Sequence, residues 1–197
     1  MKIIGLTGGS GTGKSAVAAR MRALGAGWVD ADAVYRGLCN TDTAMLAALD
    51  RAFGGVLDDI GALDRPKLAK IVFSDPEKLQ LLNAITVPYI RAASLAALAC
   101  EGADKPIALY DAPTLFEAGA DDCCDKTVGV LAKTETRVHR VIARDGLSET
   151  AARARIAAQP EDAFYRAKCD YILENNGTLA DLQRETDALY EILCKGD

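Results

Sequence analysis

Eight residues constrain this chain more than any others: Gly8-Gly9-Ser10-Gly11-Thr12-Gly13-Lys14-Ser15. Two glycines with four residues between them, followed by Lys and Ser, match the phosphate-loop pattern. An apolar run, Ile3-Ile4-Gly5-Leu6-Thr7, leads in, and the alanine-rich Ala16-Val17-Ala18-Ala19-Arg20-Met21 leads out. Strand, loop and helix in that order are the context the pattern needs. Glycines let the backbone curl so that successive N–H groups converge on one anion. The helix behind the loop adds its free N–H groups and its positive dipole end. Lys14 can then reach the β- and γ-phosphates of a polyphosphate, and the Ser15 hydroxyl can ligate Mg²⁺. The alternative is a glycine-rich turn with a chance Lys-Ser.

The remaining chain fits a fold of this size. Its 197 residues suit one compact domain with insertions, and half of them are apolar. No run approaches the roughly 18 consecutive apolar residues of a membrane span. A strand starts almost at the first residue, which leaves no room for a signal peptide, so a cytoplasmic protein is expected. A formal net charge of -5 argues against nucleic-acid binding through a basic surface. The six cysteines, Cys39, Cys100, Cys123, Cys124, Cys169 and Cys194, form no Cys-x-x-Cys pair, and His139 is the single histidine. That argues against a structural zinc site and for reduced thiols acting as small apolar residues. Cys123-Cys124 reads either as a redox pair or as more of the same.

Strands and helices alternate along the chain. The first strand is expected at 2–7 and the first helix at 14–24, stopped by Gly25-Ala26-Gly27. Trp28 to Asp32 reads as a second strand, ending on two carboxylates spaced i, i+2 and so on one side. Residues 33–53 read as helical, with a candidate break at Asn40-Thr41-Asp42. Asp64-Arg65-Pro66 opens a helix through Phe73, with Asp as cap and Pro in the first turn. Another helix runs from Ser74 to about Cys100, kinked or divided at Pro88; Leu79, Leu82, Ile85 and Tyr89 recur along it at helical spacing and read as core. Strands follow at Pro106–Asp111 and Lys126–Leu131, and a helix at Thr134–Arg144. The next helix opens at Ser148-Glu149-Thr150 and closes at Gln159-Pro160. A short strand at Asp170–Leu173, a turn at Asn175-Asn176-Gly177 and a helix from Thr178 to Cys194 complete the chain. This alternation predicts an α/β, three-layer fold, a five-stranded parallel sheet with helices on both faces. Ligands of such sheets sit at the carboxyl ends of the strands, where the phosphate loop, Asp32 and Asp111 fall.

Other residues extend the site. Transfer of a phosphoryl group to a hydroxyl needs a group that positions or deprotonates that hydroxyl. Asp32 is the candidate; Asp30 or Asp32 could equally cap the following helix. Asp111 ends an apolar strand and could hold Mg²⁺ through water, or cap a helix. Arg140 and Arg144, spaced i, i+4, share a helix face suited to a transferring phosphoryl group. A solvated basic face, or a pair with Asp145, is the alternative, and Arg137 lies on the same helix.

Taken together these segments resemble the dephospho-CoA kinases, P-loop kinases of the nucleoside-monophosphate-kinase-like group. The likeness runs nearly end to end. It is carried by Leu6-Thr7-Gly8-Gly9 through Ser15; by Asp30-Ala31-Asp32 with Arg36; and by Phe53-Gly54, Leu63-Asp64-Arg65 and Ile71-Val72-Phe73. It continues through Asp111-Ala112-Pro113-Thr114-Leu115-Phe116-Glu117, Arg140, Arg144-Asp145, Gln159 and Asn175-Asn176-Gly177. Val87 stands where that family usually has histidine, and Ala16 where it usually has threonine. The resemblance implies transfer of the γ-phosphoryl of ATP to the 3′-hydroxyl of dephospho-CoA, the last step of coenzyme A biosynthesis, with Mg²⁺ as bridge. Asp32 would be the base, and Lys14, Arg140 and Arg144 the charge stabilisers. Gly9, Ser10, Gly11, Thr12, Gly13, Lys14, Ser15 and Ala16 would bind the nucleotide, with Asn175 and Asn176 near its adenine; Ser15 and Asp111 would serve the metal. A single kinase domain would carry a helical acceptor segment at about 33–95 and a lid at about 137–165. The rivals are a kinase for another small hydroxyl or monophosphate acceptor, and a nucleotide switch or scaffold that transfers nothing.

Overall fold

The computed structural model describes residues 1–195. The chain divides into two compact units, one made of Met1–Val29 and the chain from Leu98 onward, the other of Asp30–Ala97. The first unit is built on a five-stranded parallel sheet of order β2-β3-β1-β4-β5. Its strands are β1 (Lys2–Thr7), β2 (Gly27–Asp30), β3 (Ile107–Asp111), β4 (Lys126–Leu131) and β5 (Tyr171–Glu174). The central β1 pairs in parallel with β3 and β4, Leu6 lying beside both Asp111 and Val128.

Side chains alternate across the sheet, as period two demands. Ile4, Leu6, Ile107, Leu109, Val128 and Val130 point to one face, where they meet Val17 and Met21 of α1 (Lys14–Ala23) and Leu182, Leu189 and Leu193 of α9 (Leu179–Lys195). On the opposite face a Cβ at Gly5 would lie 2.7 Å from Leu115 and 3.0 Å from the Cys124 sulfur. One at Gly129 would lie 2.9 Å from both Cys169 and Ile172. Every residue of β3 is buried, as befits a strand covered on both sides. The helices α6 (Thr134–Asp145) and α7 (Glu149–Ala157) form a hairpin around Val138, Val141, Ala152 and Ile156. A further short helix, α8 (Asp162–Lys168), packs on β4 and β5. The alternation predicts neither α8 nor the 3₁₀ turn Ala120–Cys123. Seven residues just after a proline are too few for a periodic signal.

The second unit is helical: α2 (Ala31–Thr41), α3 (Thr43–Phe53), α4 (Arg65–Phe73) and most of α5 (Pro76–Glu101). Three aspartates set its boundaries. Asp30 accepts from the N–H groups of Asp32 and Ala33 and starts α2. Asp42 ends α2 and accepts from Met45 N at 2.8 Å, starting α3. Asp64 caps α4 through Lys67 N at 2.9 Å, with Pro66 in the first turn. The core gathers Cys39, Met45, Leu49, Val56, Leu68 and Val72, against which Leu82, Ile85 and Tyr89 of α5 pack; Leu79, expected there too, is 36 % exposed.

Two expectations are corrected here. The second strand stops at Asp30 rather than running to Asp32, because the Asp30 side chain turns the backbone into α2. Asp32 is therefore a first-turn helix residue, and the two carboxylates do not share a strand face. Pro88 does not divide α5, which continues through it for 26 residues. Proline removes one hydrogen bond from the ladder, and the many remaining turns carry the helix past it. Among the described residues, α5 is the one helix long and apolar enough to cross a membrane by length and composition.

Candidate active site

The phosphate loop lies between β1 and α1. Gly8, Gly11 and Gly13 all have positive φ, at 146°, 79° and 100°. At Gly8 a Cβ would also stand 2.5 Å from the Val130 carbonyl oxygen, so only glycine fits. Gly13 occupies the N-cap of α1 and offers no side-chain cap. The first-turn N–H groups of Lys14 and Ser15 therefore have neither an intrahelical acceptor nor a capping oxygen, and are left for an anion.

The loop's carbonyls are engaged one by one. Gly9 O accepts from Thr12 Oγ1 at 2.9 Å. Ser10 O accepts from Arg137 Nε at 3.0 Å and Gly11 O from Arg140 Nη1 at 3.3 Å. Thr12 O takes Asn175 Nδ2 at 2.8 Å and Arg140 Nη1 at 3.4 Å, and Gly13 O takes Ala16 N at 2.9 Å. All five consecutive carbonyls thus have a donor within the protein, so none stands bare beside a bound polyphosphate, which suits a loop that presents N–H groups to an anion.

Lys14 Nζ forms an ion pair with Asp111 Oδ1, both side chains largely buried. The second oxygen of Asp111 accepts from the Trp28 indole N–H at 3.3 Å. Trp28 is in turn covered by the Arg22 guanidinium, 4.4 Å from the ring centre. Asp111, at the end of β3, and Lys14, at the start of α1, thus meet at the carboxyl edge of the sheet, and Ser15 follows on the exposed side of α1.

The arginines of α6 separate in role. Arg137 is 4 % exposed and lies on Ser10, and burial pulls its pKa below the ordinary arginine value. Arg140 spans Gly11, Thr12 and Asn175, whose Oδ1 it meets at 3.2 Å. Arg144 faces away, bound bidentately to Asp145 at 2.7 and 2.9 Å, so Arg140 and Arg144 share no target. Asn175 is 6 % exposed and braces the loop, while Asn176 Oδ1 accepts from Lys133 N at 2.8 Å. Gln159, read in the sequence as a helix end and as part of the resemblance but not as a site residue, accepts from Ser10 N at 2.9 Å and donates to Ser10 Oγ at 3.2 Å. Asp32 belongs to the helical unit, in the first turn of α2. Cys123 and Cys124 both donate to the Ala120 carbonyl, and burial pushes the Cys124 thiol well up, which suits an inert thiol rather than a redox centre.

The phosphate loop therefore carries two arginines of α6 laid on its backbone, Arg137 on Ser10 and Arg140 on Gly11 and Thr12. Fold and site together define a P-loop kinase. Within that class the chain belongs to the dephospho-CoA kinase family, whose model matches residues 2–181. The dephospho-CoA kinase of Anaeromyxobacter dehalogenans is 43 % identical over 200 residues, covering all of this chain and 94 % of its own. That of Leifsonia xyli subsp. xyli is 40 % identical, covering 96 % and 98 %. A crystal structure from Thermus thermophilus superposes with a TM-score of 0.81 at 37 % identity, covering 96 % of each chain.

Proposed function

We propose that this protein transfers the γ-phosphoryl group of ATP to the 3′-hydroxyl of dephospho-CoA, giving CoA and ADP. The observation that carries the reading is the phosphate loop with its carbonyls engaged by α6 and Asn175, in a chain the family model spans almost completely. The N–H groups of the loop and of the first turn of α1 bind the β- and γ-phosphates. Lys14 exchanges Asp111 for phosphate oxygen when nucleotide enters, keeping an anionic partner throughout. Asp32 accepts the proton of the attacking hydroxyl as the new O–P bond forms. Arg140, already beside Gly11 and Thr12, neutralises charge on the transferring group; Arg144 joins it by leaving Asp145. Asn175 and Asn176 border the adenine end of the nucleotide.

The oxygen donors present fit Mg²⁺. Ser15 offers a hydroxyl and Asp111 a carboxylate, and among the described residues no cluster of three His, Cys, Asp or Glu side chains forms an all-protein cage. Such a sparse set suits a cation held chiefly by substrate phosphates and water. Held there by Ser15 and Asp111, Mg²⁺ would supply charge neutralisation for the polyphosphate.

Residues 33–95 serve the acceptor and 137–165 act as the lid that excludes water, within one kinase domain of residues 1–197. The six free thiols accord with a reducing cytoplasm. The test is to offer Mg-ATP with a panel of acceptors: dephospho-CoA, adenosine, nucleoside monophosphates and shikimate. Phosphorylated product is expected with dephospho-CoA. Slow hydrolysis indifferent to every acceptor would point to a switch, and transfer to another acceptor would point to a different kinase.

A further inference from the structure

The α6–α7 hairpin grips one residue of the phosphate loop. Ser10 donates its N–H to Gln159 Oε1 at 2.9 Å, and its hydroxyl accepts from Gln159 Nε2 at 3.2 Å. Its carbonyl accepts from Arg137 Nε at 3.0 Å, and Arg137 Nη2 closes the circuit on Gln159 Oε1 at 2.8 Å. The polar atoms of Ser10 are thus held by Arg137 of α6 and by Gln159, two residues past the end of α7. The fit is close: a Cβ at Gly9 would lie 2.9 Å from Gln159 Oε1.

Arg137 is the unusual member. Its guanidinium is buried, yet its hydrogen bonds among the described residues run to neutral oxygens, with Asp162 acting on it only as a neighbouring charge. Burying an arginine against neutral partners is costly, and the group stays charged. A neutral donor would hold the Ser10 carbonyl at lower cost. The charge has a use if an anion binds close by, and Ser10 is part of the loop that receives one.

We infer that Arg137 and Gln159 are positioning residues for the nucleotide. They fix Ser10, and through it the amides of the loop, in the phosphate-receiving form, and Arg137 lends a positive charge to the polyphosphate from behind the loop backbone. This rests on the phosphate-loop reading given above.

Two substitutions separate grip from charge. Gln159→Glu keeps an acceptor for Ser10 N–H and Arg137 but cancels the arginine's charge. It should fold with an undiminished melting temperature, yet raise KM for ATP roughly tenfold, the scale of one charge-assisted contact. Arg137→Met removes grip and charge and should raise it further, and Arg137→Lys, which keeps the charge, should recover part of the loss. KM for dephospho-CoA should stay within about twofold in all three, since a general loss of structure would not single out one substrate. Lys14→Ala is measured alongside. If Lys14→Ala loses turnover while Gln159→Glu and Arg137→Met retain the wild-type KM for ATP, the positioning role is overturned and the phosphate loop stands. If Lys14→Ala is itself unimpaired, the phosphate-loop reading falls.

Discussion

Asp30 and Asp32 look interchangeable in the sequence, but Asp30 has its carboxylate committed to the backbone at the start of α2. Asp30 Oδ1 accepts from two N–H groups at the start of α2, and Oδ2 meets Arg36 at 3.4 Å. Asn caps a helix as well as Asp does, so Asp30→Asn should keep both fold and turnover. Asp32→Asn should lower kcat by about 10²–10⁴ with little change in ATP affinity, because an amide cannot take the proton. Steady-state kinetics on both, with the reverse outcome, would move the base to Asp30. Under the proposed function, Lys14 links catalysis to stability. Lys14→Ala should cost on the order of a hundredfold or more in turnover. It also strands Asp111, which is 5 % exposed, and should destabilise the protein by about 3 kcal/mol in urea unfolding. Adding Asp111→Asn should restore much of that stability and none of the activity. The phosphate loop was legible because its glycines and lysine are local chemistry. Arg137 was not: a helix arginine reads as surface, and only an acceptor 127 residues away makes it interior.

At the level of elements, caps and alternation carry most of the information. The break around Asp42 and the Asp64-Pro66 opening follow from side chains that satisfy N–H groups next to them, while the loop-to-helix start, which no side chain caps, follows from the glycine pattern. Helix α8 lay beyond that reach; its place is set by Tyr165, 2 % exposed, and by Phe164 packed edge-to-face on Phe116 at 5.8 Å, contacts that sequence pattern does not encode. The α6–α7 hairpin is where packing and chemistry meet. Val141, fully buried between the two helices, holds the surface that carries Arg137 and Arg140. Val141→Ala should cost about 2 kcal/mol in thermal unfolding, by lost burial and the cavity left behind. Arg140→Lys should lower the single-turnover rate by about 10²–10⁴, since an ammonium cannot span Gly11, Thr12 and Asn175 together. Arg144→Lys should lose less, because its fork is engaged by Asp145. Equal losses would mean that both arginines reach the phosphates in the closed state.

Across the whole molecule, the titrating groups predict a broad plateau of stability with two distinct edges. Arg20 grips Asp187 through two bonds of 2.6 Å, tying α1 to α9 and holding the Asp187 carboxyl below its usual range. Arg144, helped by Arg155, draws Asp145 down to about 2, and Arg153 lowers Glu135. Each of these carboxylates binds its proton less readily when folded than when unfolded. Their contribution is therefore present above the ordinary carboxylate range and is lost as pH falls through the folded values, between about pH 4 and pH 2. The opposite edge has the opposite sign. Burial pushes the Cys169 thiol up to about 12, so the folded state favours the neutral thiol. That contribution holds below the ordinary thiol pKa and declines as pH rises beyond about 9. Melting temperature should stay level between these limits and fall outside them. Asp145→Asn isolates one group: it should melt below the wild type at pH 6 and approach it as pH falls to 2 and below, where Asp145 takes up its proton in the folded state as well. Added salt should narrow the pH 6 gap, because the pair is exposed and screened. A gap that persists unchanged from pH 6 to pH 2 would assign the Asp145 contribution to packing at the hairpin turn rather than to its charge.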